Sequence, residues 1–433
     1  MSDSSKKPDQ EPTFLDKQVT RRNVLKYTGI GGLGVLLGAS SLGGVFAMTN
    51  QVPSKTGKAD KNETVPFYGK HQAGIITEAQ NNVYFVSMDV ITTKKEEVKQ
   101  LFKEWTEAVA LMTAGNPVGE RSTNHYMPPK DTGEVMGLSP ANLTVTFGVG
   151  PSLFVLDGKD RFGLKHKQPK ELVDLPKFPF DSLEKDWTGG DLCIQACADD
   201  PQVAFHAVRN LVRIARGKAT IRWAQEGFQR SKQSDPKQET PRNLFGFKDG
   251  IVNPNVQDKQ EMNKDIWVQP DDGPNWLEGG SYLIIRRIQM YIEVWDRSTL
   301  KDQEETFGRY RDSGAPLGQK LEMDPVDLEL KDQSGKLMIP ENAHVRLAKG
   351  DGKQVILRRP YSYTNGMDAK TGSFDAGLLF ICFQREPSKQ FIPMQQRLAK
   401  MDKLNEYTVH KGSAIFACLP GTSLGGFIGE TLF

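Results

Sequence analysis

The chain has 433 residues, which is enough for two domains of ordinary size. Hydrophobic residues make up 37% of it and aromatic residues 9%, so the composition excludes a wholly disordered protein. The formal net charge is only +2, and no long block of Lys and Arg occurs, so the sequence argues against nucleic acid as a partner.

The first residues carry targeting information. Residues 20–26 read TRRNVLK, the pattern of a twin-arginine export signal, and a glycine-rich, weakly apolar stretch follows them. This stretch is less hydrophobic than a membrane-spanning helix, and residues 45–47 form a plausible cleavage site. We therefore expect residues 1–47 to be a twin-arginine signal peptide that sends the protein to the periplasm, cell envelope or exterior; an uncleaved membrane anchor is the alternative. Because this route carries folded cargo, it favours an enzyme that takes up its cofactor inside the cell.

Two series of strands and helices follow a polar, lysine-rich tether at residues 48–65. In the first series, hydrophobic periodicity predicts strands at 82–90, 143–150, 191–198 and from 221, with helices at 94–113 and from 201. In the second series it predicts strands at 280–292, 377–384 and 413–418, with helices at 295–308 and 391–404. The order strand, helix, strand recurs within each half, as in ferredoxin-like domains. We expect an α+β protein of the dimeric α/β-barrel type, with duplicated ferredoxin-like domains at 66–243 and 244–433 and antiparallel sheets with helices outside.

Asp249 stands out because glycines at positions 246 and 250 flank it. Glycine allows a positive φ angle or a close approach of the backbone to a flat ligand. Asp-Gly is also a common turn pair, so an ordinary turn remains the alternative.

A histidine and an arginine form the second notable group. The chain has six histidines: His71, His125, His166, His206, His344 and His410. His344 lies in an apolar context, where a histidine is more often a core residue than a metal ligand. Arg358 follows the apolar run at residues 355–357, and a buried arginine is costly without an anionic partner. A surface ion pair on an edge strand is the alternative, and it suits Arg359 better than Arg358.

The cysteines do not suggest a metal site. The chain has four of them, Cys193, Cys197, Cys382 and Cys418, and they lack paired CxxC spacing. We expect isolated, small core residues even in an oxidising compartment.

Six segments together resemble one known family. They are FYGKHQAGI from residue 67, GFKDGIVNPN from 246, PENAHVRLA from 340, ILRRPYSYTNG from 356, FDAGLLFICFQ from 374 and GSAIFACLPG from 412. In this order and spacing they resemble the dye-decolourising haem peroxidases, over about residues 65–433. With the twin-arginine signal, the chain resembles in particular the exported deferrochelatase/peroxidase members that serve the Efe iron-uptake system.

The resemblance implies haem b as the cofactor, with His344 as the axial ligand of the iron. It implies that Asp249 and Arg358 are catalytic on the peroxide-binding face, and that Asp375 accepts a hydrogen bond from His344. It also implies cofactor contacts for Gly250, Ile251, Val252 and Arg358.

The implied activity is oxidation of dyes or phenolic donors by hydrogen peroxide, with a small-molecule reductant. Release of iron from haem, with haem as the substrate, is a further activity within the same resemblance. Membrane components of the Efe system and a second copy of the chain, in a homodimer, are the implied protein partners. A haem carrier or sensor without turnover is the alternative, but a carrier has no use for an acid–base group over the iron. A chlorite-dismutase-like enzyme would share the architecture without needing Asp249.

Overall fold

The structure is a computed structural model that describes residues 63–433, except for 121–122, 232–233, 236, 238 and 370. The predicted signal peptide and nearly all of the predicted tether lie outside the described residues. Within the described part of the chain, no helix is both long and apolar enough to cross a membrane.

Eight antiparallel strands close into a barrel. They are β1 (Asn82–Val90), β2 (Thr144–Val149), β3 (Leu192–Ala198), β4 (Ala219–Phe228), β5 (Ser281–Met290), β6 (Tyr361–Met367), β7 (Phe374–Gln384) and β8 (Thr408–Cys418). Their order around the barrel is β5-β8-β2-β3-β1-β4-β6-β7, and β7 pairs back to β5. A two-residue strand, Leu357–Arg358, lies ahead of β6 along the same edge of β7.

Each half of the barrel is one four-stranded sheet with the same strand order. The first half has the strand order β2-β3-β1-β4, and the second half has the order β6-β7-β5-β8. If the strands are numbered 1 to 4 within each half, both orders are 2-3-1-4. The seams between the halves are short: β8 meets β2 through two residue pairs, and β4 meets β6 through one. The predicted α+β fold with duplicated ferredoxin-like halves is confirmed, whereas the domain boundary at residue 243 stays a prediction.

Six helices of six or more residues accompany the described strands. They are α1 (Lys95–Thr113), α2 (Pro201–Ile214), α3 (Lys259–Asp265), α4 (Leu300–Phe307), α5 (His344–Lys349) and α6 (Phe391–Met401). As predicted, α2 begins at Pro201, and Asp200 caps it by accepting the N–H groups of Gln202 and Val203.

The sequence reading missed or misplaced several elements. The single helix predicted at 295–308 is two pieces, Ile292–Trp295 and α4, because the side chain of Thr299 caps a new helix by accepting the N–H of Asp302. Strand β6 and helices α3 and α5 were not predicted. Helices α3 and α5 are each only seven or six residues long, too short for a clear 3.6-residue periodicity.

Two packed layers make up most of the core. Inward-facing side chains such as Phe85, Leu283 and Phe416 fill the barrel. On the outer face, helices pack against the strands, and the ring of Trp105 on α1 stacks on Phe147 of β2 at 5.1 Å. All four cysteines are buried and free, as predicted.

Candidate active site

Asp249 and Arg358, here called the distal pair, lie in contact although 109 residues separate them. Nη1 of Arg358 donates to Oδ1 of Asp249 over 3.0 Å. Their side chains are only 18% and 24% exposed, so each partner offsets part of the cost of burying the other's charge. The anionic partner of Arg358 in the structure is therefore the carboxylate of Asp249.

The backbone around Asp249 explains its flanking glycines. Gly246 and Gly250 have φ angles of +82° and +101°, a region that other residues rarely adopt. A Cβ atom on Gly250 would meet no atom within 4 Å, so backbone conformation alone calls for glycine there. The N–H of Asp249 donates to the carbonyl of Pro241 over 2.8 Å, which anchors this loop.

His344 is the first residue of α5 and is held from one side only. Its Nδ1 lies 2.6 Å from Oδ2 of Asp402, the one hydrogen bond of this imidazole among the described residues. The other carboxylate oxygen of Asp402 accepts the N–H of Leu404, so this acceptor is fixed in place. We assign the proton to Nδ1, which leaves the lone pair of Nε2 free to bind a metal.

The predicted hydrogen bond from His344 to Asp375 is wrong. Both oxygens of Asp375 accept from Nη2 of Arg287 over 2.8 Å instead. Asp375 lies on strand β7, whereas His344 begins helix α5 and Asp402 follows helix α6. Sequence reasoning missed Asp402 because no local pattern links two residues that are 58 positions apart.

Arg359, the residue after Arg358, is buried. It is only 4% exposed, and its guanidinium donates to the carbonyls of Thr77 and Glu78 and to the side chain of Gln80. The alternative of a surface ion pair is therefore wrong for Arg359. Carbonyl and amide oxygens accept from both Nη atoms of this buried guanidinium, and no carboxylate of the described residues takes part.

Electrostatics links His344 to the distal pair. Burial lowers the pKa of His344, but the charge and hydrogen bond of Asp402 outweigh this effect, and the net result is a raised pKa. Asp249 raises the pKa further and Arg358 lowers it, so the charges of the distal pair reach the imidazole.

A cavity of about 370 Å³ opens onto the distal pair. Gly250, Arg358 and Leu378 are among its lining residues, but Ile251 and Val252 are not, so a cofactor contact of those two stays a prediction. His344 does not line this cavity, although the charges of the distal pair act on its imidazole. The polar acid–base pair and the apolar side chain of Leu378 in the cavity, together with the free nitrogen of His344, fit the needs of a haem group. On this evidence the fold and the site define a haem protein with peroxide chemistry.

Comparison with known proteins gives the family. Profiles of the Dyp-type peroxidase N-terminal and C-terminal domains match residues 72–229 and 240–423. The chain therefore belongs to the Dyp-type peroxidase family; it is a haem-dependent peroxidase, and its cofactor is haem b.

Three similar proteins illustrate the match. Deferrochelatase from Yersinia pseudotuberculosis serotype I (strain IP32953) is 39% identical over 406 residues, which cover 90% of this chain and 91% of that protein. Ferric DtpA from Streptomyces lividans superposes with a TM-score of 0.79 at 38% identity, covering 86% of this chain and 97% of that one. A DyP-type peroxidase from Cellulomonas bogoriensis superposes with a TM-score of 0.77 at 37% identity, covering 85% and 98%.

Proposed function

We propose that the protein is an exported peroxidase in which His344 holds the haem iron and the distal pair handles hydrogen peroxide. The observation that carries this proposal is the 3.0 Å contact between Asp249 and Arg358 on the wall of a cavity. A carboxylate held beside a guanidinium can accept a proton and return it, whereas a passive haem carrier has no need of such a group.

The cofactor, when bound, supplies an iron centre that exchanges electrons with peroxide. His344 would bind this iron through Nε2. Because Nδ1 donates to the carboxylate of Asp402, the ring becomes a more electron-rich ligand. Phe307 lies edge-on to the imidazole, with ring centres 6.1 Å apart.

Asp249 and Arg358 have complementary roles in this proposal. Asp249 takes the proton from one peroxide oxygen and returns it to the oxygen that leaves. Arg358 orients the carboxylate of Asp249 through their hydrogen bond and stabilises negative charge on the leaving oxygen. The two side chains already hold each other by a hydrogen bond, so they need little movement when peroxide binds.

A direct experiment tests this function. The purified protein should show the absorption of bound haem and should oxidise guaiacol or an anthraquinone dye only when hydrogen peroxide is added. Haem binding without any peroxide-dependent oxidation would favour a carrier or sensor instead.

Release of iron from haem is a second candidate function. It is favoured by the deferrochelatase name of the relative that is 39% identical over nine-tenths of this chain. In such a reaction the iron leaves and two protons take its place on the pyrrole nitrogens. Incubation with haem should then produce the fluorescence of free porphyrin, and haem that stays intact would contradict this activity.

Export and partners complete the proposal. The TRRNVLK segment supports twin-arginine export, and replacing Arg21 and Arg22 by lysine should leave the protein in the cytoplasm when cell fractions are compared. We also propose that the protein works as a homodimer. Its further partners in this proposal are membrane components of an Efe-type iron-uptake system.

A further inference from the structure

Asn253 joins the two segments that carry the distal pair. Its Nδ2 donates to the carbonyl of Arg358 over 2.8 Å, and its Oδ1 accepts the N–H of Arg358 over 3.0 Å. One side-chain amide therefore satisfies both backbone groups of a residue 105 positions further along the chain. Asn253 belongs to the same loop as Asp249, and both line the cavity.

The position of Arg358 at the edge of the sheet explains why this contact matters. Residues Leu357–Arg358 pair with Cys382 and Phe383 of β7. The next N–H, that of Arg359, donates to Ile381 on β7 over 2.8 Å. Because backbone groups alternate along a strand, the N–H and C=O of Arg358 face away from β7, on a side where the described residues form no further strand. The amide of Asn253 takes the place of that missing strand.

We propose that Asn253 is a positioning residue that holds the backbone of Arg358 in register with Asp249. This inference rests on the proposed role of the distal pair in peroxide chemistry. Pro254, the next residue, is buried, and a proline restricts the residue before it to extended conformations. The amide is thereby presented to Arg358 by a short, stiff piece of chain, and the same loop places Asp249 against the guanidinium.

The test compares Asn253→Ala with Asn255→Ala. Asn255 lies in the same loop, but its Oδ1 accepts the N–H of Gln257 instead of contacting Arg358. Both asparagines are exposed, so neither change removes core packing, and thermal unfolding checks that both variants fold.

The first readout needs no haem. Amide hydrogen exchange at Arg358 in the haem-free protein should be about tenfold faster in Asn253→Ala and unchanged in Asn255→Ala, because Asn253 is the acceptor for that N–H. Exchange at the wild-type rate in Asn253→Ala would overturn the inference.

The second readout uses the haem-loaded protein. kcat/KM for hydrogen peroxide should fall about tenfold in Asn253→Ala, with unchanged haem content. In an Arg358→Leu background the same change should have no further effect, because the side chain that it positions is gone. An equal loss in that background would show that Asn253 acts by another route.

The two readouts separate this inference from the proposed function. A wild-type protein without peroxide turnover would overturn the function, whereas hydrogen exchange at Arg358 would still decide whether Asn253 holds the strand. An active wild type with an equally active Asn253→Ala variant would overturn the positioning role alone.

Discussion

Asp402 accepts a hydrogen bond from Nδ1 of His344 over 2.6 Å, from a turn that directly follows helix α6. Its side chain is only 3% exposed, whereas that of His344 is 33% exposed. The buried carboxylate therefore fixes the Nδ1 edge of a ring whose side chain is still partly exposed. This is the arrangement that a metal-binding histidine needs.

Replacing Asp402 by asparagine should weaken the electron donation from His344 to the iron. We expect the Fe(III)/Fe(II) potential to rise and peroxidase activity to fall by about 10- to 100-fold, as for other ligand-supporting carboxylates. Spectroelectrochemical titration measures the potential. Asp375→Asn is the matched control, because Asp375 pairs with Arg287 instead. If the potential shifted in Asp375→Asn but not in Asp402→Asn, Asp402 would not be the residue that supports His344.

Removing either member of the distal pair should slow the reaction with peroxide but leave haem bound. For Asp249→Asn and for Arg358→Leu we expect kcat/KM for hydrogen peroxide to fall by about 10²- to 10⁴-fold, the usual contribution of general acid–base catalysis. Stopped-flow absorption after mixing with peroxide measures the rate. Wild-type rates in both variants would rule out these roles.

His344→Ala should affect cofactor binding rather than proton transfer. Loss of the axial nitrogen should lower the haem content of the purified protein or change its absorption spectrum. The distal variants above serve as controls, because they keep His344. An absorption spectrum identical to that of the wild type, at equal haem content, would show that another residue binds the iron.

His410 should make folding stability depend on pH. Burial, and then the positive charge of Arg286, hold the pKa of His410 well below its usual value, and its Nδ1 accepts from Nε of Arg286 over 3.2 Å. The unfolded chain takes up a proton near the ordinary pKa of about 6.5, whereas the folded protein does so only at much lower pH. Protonation of the unfolded chain therefore does not reduce the free energy of unfolding well above about pH 6.5, but reduces it increasingly as the pH falls below that value.

Chemical denaturation between about pH 7.5 and about pH 5 measures this effect. The free energy of unfolding of the wild type should fall towards acid pH, and His410→Gln should reduce that slope. His125→Gln, which changes an exposed histidine, should behave like the wild type. Equal slopes in His410→Gln and wild type would contradict the prediction.

Local sequence patterns predicted most of the barrel. Strand β1 was expected at residues 82–90 and occupies Asn82–Val90, because this segment is rich in β-branched and aromatic residues. The start of α2 was predicted at residue 201, because a proline suits the first turn of a helix. Short elements such as α5 gave no such signal, since six residues complete fewer than two helical turns.

By itself, the sequence determined the two strand–helix series, the glycine-flanked Asp249 and the three residues expected to serve the haem. Only the tertiary structure decided which strands meet at the two short seams of the barrel, β8 with β2 and β4 with β6. It alone placed Asp402, rather than Asp375, beside His344, and Asn253 beside Arg358. The physical reason is range: helix and strand preferences arise between near neighbours in the chain, whereas these hydrogen bonds join residues 58 and 105 positions apart, which fold topology alone brings together.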